Sequence, residues 1–141
     1  MIKHWEEEMS EQTADRFIEA LARLEAERDL DSIVRLFADG CEVGNVVSPE
    51  KFRGREGAGE FWGAKYRDTF GEVRSTFRNV FTTESGAVLE WTTRGTANDG
   101  TPIRYEGVSI FETNGDGLIK RFRAYFDAGA LGRLLTGKAH G

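Results

Sequence analysis

The sequence predicts an α+β domain, with helices first and a strongly curved, mainly antiparallel sheet after them. Apolar residues Ala14, Phe17, Leu21 and Leu24 recur at three- and four-residue steps, which gathers them on one helix face. In the second half, β-rich segments are joined by Asn98-Asp-Gly100 and Asn114-Gly-Asp-Gly117, residues that enter tight turns at little steric cost. Strands and helices do not alternate regularly, so neither a doubly wound sheet nor a βα barrel fits. Such a meander needs the preceding elements to cover one face, and the expected product is a sheet wrapped around a pocket.

Residues 1–9 form a polar lead with three consecutive glutamates and an isolated Trp5. Ser10 can cap the first helix. Asp29-Leu-Asp-Ser32 breaks it, and Ile33, Leu36 and Phe37 make the apolar face of a short second helix that Gly40 ends. A short strand follows over 41–47, and Ser48-Pro49-Glu50 turns the chain. The glycines at 54, 57 and 59 lack the order and the lysine of a phosphate-binding loop, and are better placed before a third helix. Trp62, Tyr66 and Phe70, spaced by four, form an aromatic ridge on that helix, which Gly71 terminates. Four longer strands then run from Val73 to Phe81, Ala87 to Gly95, Arg104 to Glu112 and Leu118 to Asp127. A short helix over 131–135 precedes the tail. The predicted domain is 10–135, flanked by the 1–9 extension and the 136–141 tail.

The chain of 141 residues suits one domain. A formal net charge of -5 without a basic stripe gives no attraction to nucleic acid or to an anionic membrane. With one cysteine, Cys41, and histidines only at 4 and 140, neither a disulfide framework nor a histidine-based metal site or triad is expected. No cofactor is predicted. No apolar run could span a bilayer and no secretion signal opens the sequence, so a cytoplasmic location is expected.

Period-two alternation separates Leu89, Trp91 and Thr93 from Glu90, Thr92 and Arg94. It separates Tyr105, Gly107, Ser109 and Phe111 from Glu106, Val108 and Ile110. In the last strand, the row of Phe122, Ala124 and Phe126 suits packing against helices or another subunit. The row of Arg121, Arg123, Tyr125 and Asp127 is either a solvent face or a polar cavity wall. The cavity reading draws on Gly107, which would leave room beneath a ligand, and on the aromatic area of Trp62, Tyr66, Trp91, Tyr105 and Tyr125.

Several segments carry a family resemblance: Phe37-Ala-Asp-Gly-Cys-Glu-Val-Gly-Asn45, Phe52-Arg-Gly-Arg-Glu-Gly-Ala-Gly-Glu-Phe-Trp62, the run of Trp91, Gly95, Gly100 and Pro102, and Gly107-Val-Ser-Ile-Phe-Glu112 with Gly117-Leu-Ile-Lys-Arg-Phe-Arg-Ala-Tyr-Phe-Asp127. In order and spacing, over residues 10 to 130, the chain resembles the cone-shaped NTF2-like superfamily and its SnoaL-like branch. The resemblance implies a cone with a pocket, and homodimers formed through the open sheet face. Relatives include polyketide cyclases, ketosteroid isomerases, epoxide hydrolases, dehydratases and non-catalytic transport proteins, so the fold alone leaves the chemistry open.

By resemblance, Asp127 matches the closing aspartate that serves as acid or base in the cyclases and in limonene-type epoxide hydrolases. Asn45 matches the asparagine that holds the nucleophilic water in those hydrolases. Their tyrosine is Val43 here, and their arginine and aspartate fall at Trp91 and Thr93, which argues against an identical mechanism. The ketosteroid isomerase base falls near Asn45, its oxyanion-hole acid near Gly107, and its helix-one tyrosine near Leu21 or Phe17, so that set is incomplete too. The expected function is binding of, or cofactor-independent acid–base chemistry on, a small hydrophobic molecule. Isomerase, cyclase, dehydratase and hydrolase types all remain open. Asp127, Asn45 and Tyr125 are the candidate catalytic residues, and Trp62, Tyr66, Trp91, Thr93, Tyr105 and Arg123 the candidate ligand contacts. A non-catalytic ligand carrier or a homodimeric interaction protein is the alternative.

Overall fold

The computed structural model describes residues 2–47 and 51–136. The expected turn at Ser48-Pro49-Glu50 and the tail beyond 136 lie outside the described residues. Helix α1 (Ile2–Glu27) is followed by a single turn, α2 (Asp31–Val34), then β1 (Phe37–Asn45) and the two-residue β2 (Phe52–Arg53). Helix α3 (Gly54–Glu60) runs directly into a π-helical segment, Phe61–Arg67. Strands β3 (Phe70–Thr83), β4 (Gly86–Ala97), β5 (Pro102–Thr113) and β6 (Ile119–Phe126) form the meander, and α4 (Ala128–Thr136) closes the described chain.

The six strands form one sheet in the order β2-β1-β6-β5-β4-β3. All neighbours are antiparallel except β1 and β6, which run parallel with Val43 opposite Phe122. Register shifts interrupt the β3–β4 ladder between Phe70 and Val73 and between Phe77 and Asn79. Each such bulge bends the strand and increases its twist, so the long strands curl around the helices. The sheet stays open, with β2 and β3 at its edges.

Helix α1 lies in the concave face. Ala14, Phe17, Leu21 and Leu24, the row read from periodicity, are all buried. Phe17 sits at the centre, its ring 5.4 Å from Phe122, 5.7 Å from Trp62 and 6.3 Å from Phe111. The helix is tied to the β5–β6 turn by the Thr13 hydroxyl, which donates to the Gly117 carbonyl at 2.7 Å. Gly117 has φ +78, and a Cβ there would come within 2.9 Å of the Met9 side chain, so both backbone and contact demand glycine.

Several boundaries differ from the sequence reading, among them the last helix, which spans Ala128–Thr136 rather than 131–135. The first helix begins at Ile2 rather than Ser10, carrying an exposed Trp5. Phe37 opens a strand instead of closing the second helix, and Gly40 lies inside β1. Glycines 54, 57 and 59 lie within α3 rather than before a helix, because Gly57 packs directly on the Phe52 backbone, 2.8 Å from where its Cβ would be. The Trp62–Tyr66 ridge consequently falls on the wide π turn, and Phe70 passes to β3.

Candidate functional site

Two apolar clusters divide the interior. One joins Phe17, Phe37, Trp62 and Phe122 beneath α1; the other joins Phe70, Trp91, Tyr105 and Leu131 near α4. Between them lies a cavity of about 510 Å³. That volume falls within the range of small-molecule sites. Its wall is mostly aromatic and aliphatic, and α4 contributes Ala128, Leu131 and Leu135.

The strand faces explain the wall. Inward positions of β4, β5 and β6 supply Trp91, Thr93, Tyr105, Ser109, Phe122, Ala124 and Phe126. The π turn brings Trp62 and Tyr66 to the same wall, with ring centroids 5.6 Å apart. Such widened turns are frequent at functional sites. Trp91 is fixed by its Nε1–H, which donates to Ser109 Oγ at 2.9 Å, and by an edge contact to Tyr105 at 5.3 Å. The Trp91 ring fills the space above Gly107: a Cβ there would lie 2.6 Å from Cζ2. The room left by Gly107 therefore belongs to Trp91 and not to a ligand.

Asp127, expected inward as the acid or base, is exposed at the end of β6 and does not line the cavity. Its Oδ1 accepts from the Ala130 N–H at 2.9 Å, so the carboxylate caps α4. Tyr125 and Arg123 stand on the outer face of the sheet. Tyr125 is 46% exposed, and Arg123 pairs with Glu112 at 3.1 Å. Period two is the reason: Phe122, Ala124 and Phe126 take the inward positions, and the charged row is left outside. Asn45 does border the cavity, at the end of β1, where its Oδ1 accepts from the Val47 N–H at 2.9 Å. Cys41 is buried, and that burial raises its thiol.

A residue that the sequence reading passed over organises the polar part of the wall. Glu25 of α1 accepts three hydrogen bonds: from the Ser75 N–H at 2.8 Å, the Ser75 hydroxyl at 2.6 Å and the Tyr66 hydroxyl at 2.6 Å. The Ser75 and Thr93 hydroxyls are 2.6 Å apart. Burial pushes the Glu25 carboxyl above its usual range, against the opposing pull of Ser75, Tyr66 and the Arg74 charge. Burial and the nearby Glu25 charge raise the Tyr66 phenol well above its ordinary value. The Tyr105 phenol is raised by the same two causes. Tyr66, Ser75, Thr93 and Tyr105 line the cavity, with Glu25 directly behind them. A signal for Glu25 was present: it stands four residues after Leu21, in register with the apolar stripe, where an unpartnered carboxylate would be costly.

A helix-filled, open conical sheet around a cavity defines an α+β protein of the NTF2-like class. The SnoaL-like domain profile matches residues 14–122, and the chain belongs to that family. Among solved structures, a proposed isomerase from Rhodopseudomonas palustris superposes with TM-score 0.75 at 18% identity, covering 89% of this chain and 96% of that one. An LEH-like epoxide hydrolase from M. tuberculosis gives TM-score 0.69 at 19% identity, covering 91% and 93%. An NTF2-like protein from Anabaena variabilis gives 0.75 at 16%, covering 87% and 92%. At these identities the likeness concerns the fold. No curated protein matched the sequence.

Proposed function

We propose that the protein binds a small, largely apolar molecule inside the cone. The observation that carries this reading is the cavity of about 510 Å³ walled by aromatic rings, with a few hydroxyls gathered on one side. Titration with the apolar fluorophore N-phenyl-1-naphthylamine tests it: saturable binding of one molecule per chain is expected. Leu131→Trp, which fills the cavity from α4, should abolish that binding. Signal that never saturates, or that Leu131→Trp leaves unchanged, counts against the reading.

Turnover by cofactor-independent acid–base chemistry is the second reading. One observation favours it, the Glu25 carboxyl in contact with two hydroxyls of the cavity wall. On this reading Asp127 serves the fold, and an activity found in a substrate screen should survive Asp127→Asn but not Glu25→Gln. Loss of turnover in Asp127→Asn alone would return the chemistry to the strand end.

The partner that suits the outer sheet face is a second copy of this chain. Half-buried Val108 and Ile110 lie there among charges of both signs, including the Arg78–Glu90 and Arg121–Glu112 pairs at 3.4 and 3.3 Å. A face carrying both signs can complement itself across a two-fold axis. Light scattering should give twice the chain mass, reduced to one chain by Ile110→Lys.

A further inference from the structure

The hydrogens of the polar wall all run one way. The Ser75 N–H and the Tyr66 hydroxyl donate to Glu25, and so does the Ser75 hydroxyl. Three short donors onto one carboxylate describe its ionised form, which has no hydrogen to give. Because the single hydrogen of the Ser75 hydroxyl is committed to Glu25, the 2.6 Å contact with Thr93 must be donated by Thr93. The Tyr66 and Thr93 oxygens are therefore left as acceptors toward whatever fills the cavity. Tyr105 is the exception: its hydroxyl makes no hydrogen bond to the described residues and is free to donate. Both tyrosine rings contact Phe70, at 5.4 and 5.9 Å, which places them on the same side of the cavity.

We propose that this wall reads a hydroxyl group: the cavity takes an apolar ring compound whose alcohol or phenol oxygen donates to Tyr66 and accepts from Tyr105, with Glu25 as the positioning residue that sets the direction of the wall's protons. The proposal rests on the reading that the cavity binds a small apolar molecule. A ketone on the same frame can accept from Tyr105 but has nothing to donate, and it leaves the Tyr66 oxygen unpaired. The wall thus selects against the carbonyl form of its own ligand.

Isothermal calorimetry with 9-fluorenol and 9-fluorenone, which share one tricyclic frame, tests the proposal. The native protein should bind the alcohol about tenfold more tightly, as one extra hydrogen bond would give. In Glu25→Gln the side-chain amide can donate to the Tyr66 oxygen, which turns the phenol hydrogen into the cavity. That variant should lose or invert the preference for the alcohol, whereas a merely structural role for Glu25 would weaken both ligands alike. Tyr66→Phe removes the acceptor, and with it one of the three donors to Glu25, while the two Ser75 donors keep the carboxylate in place; it should lower affinity for the alcohol only. Tyr105→Phe should weaken both. Equal binding of the two compounds by the native protein overturns the hydroxyl reading and leaves the apolar pocket standing. Retained preference in a folded Glu25→Gln, or in Tyr66→Phe, overturns it as well. Binding of neither compound overturns both readings.

Discussion

The Tyr66 hydroxyl donates to Glu25 Oε2 at 2.6 Å, joining the π-helical segment to α1 across 41 residues of sequence. The same oxygen receives the Ser75 hydroxyl, so one carboxylate fastens three elements together. Glu25→Ala would strand those donors in a poorly hydrated place. It should lower stability by about 2–3 kcal/mol in urea unfolding. A cost within experimental error would show that water satisfies the donors as well as Glu25 does.

The pH dependence of Glu25 is opposite in sign to that of most paired carboxylates. Burial raises its folded pKa above the ordinary value. Its contribution to stability is then complete below the unfolded value and is lost as pH rises through the folded one. Glu112 runs the other way. Burial pushes its carboxyl up, but the Arg123 hydrogen bond and the Arg121 and Arg123 charges outweigh that and hold it low. Its contribution is present above the unfolded value and disappears as pH falls through the folded one. Glu25→Gln removes only the first effect. The Tm of that variant minus the Tm of the native protein should therefore rise from about pH 4.5 toward neutrality. Scanning calorimetry that finds the difference falling over this range would reverse the assigned direction.

Asp127 offers a test of cap against catalyst. Its Oδ1 caps the Ala130 N–H, and α4 in turn lays Leu131 against the cavity. Asn caps a helix about as well as Asp does, and Ala does not. Asp127→Asn should be near neutral in stability and in ligand binding. Asp127→Ala should cost about 1 kcal/mol and raise hydrogen exchange in α4. Protection of α4 that is equal in the two variants would show that the cap contributes nothing.

What the sequence made legible was whatever periodicity controls. Alternation sorts β4, β5 and β6 into two rows each without saying which row of β6 faces inward, and the helical repeat gives the buried row of α1. Trp62, Tyr66, Trp91, Thr93 and Tyr105 accordingly border the cavity. Two things escaped. Resemblance to the strand-end aspartate suggested an inward Asp127, but strand geometry ends at Phe126 and the next residue turns into α4. The polar centre depends on a contact between residues 25, 66 and 75, which no local pattern encodes. Likewise the π turn at Phe61–Arg67 keeps the aromatic spacing of an ordinary helix, so spacing alone could not reveal its wider pitch.

Gly107 is held by its neighbours rather than by its backbone angles. An added Cβ would lie 2.5 Å from the Tyr125 carbonyl oxygen and 2.6 Å from Trp91 Cζ2. The carbonyl belongs to the backbone of β6, so the strand pairing must shift locally, and the indole must give way as well. Moving the indole would stretch its bond to Ser109 and disturb its edge contact with Tyr105. Gly107→Ala should therefore cost about 1–3 kcal/mol, the usual penalty for overpacking. It should also shift the tryptophan emission and weaken binding of apolar ligands, because the displaced ring enters the cavity. Ser109→Ala serves as the control: it frees the indole N–H without adding volume, so it should lower stability while leaving cavity capacity intact. Emission and binding in Gly107→Ala that match the native protein would mean that the strand, and not Trp91, absorbs the added methyl.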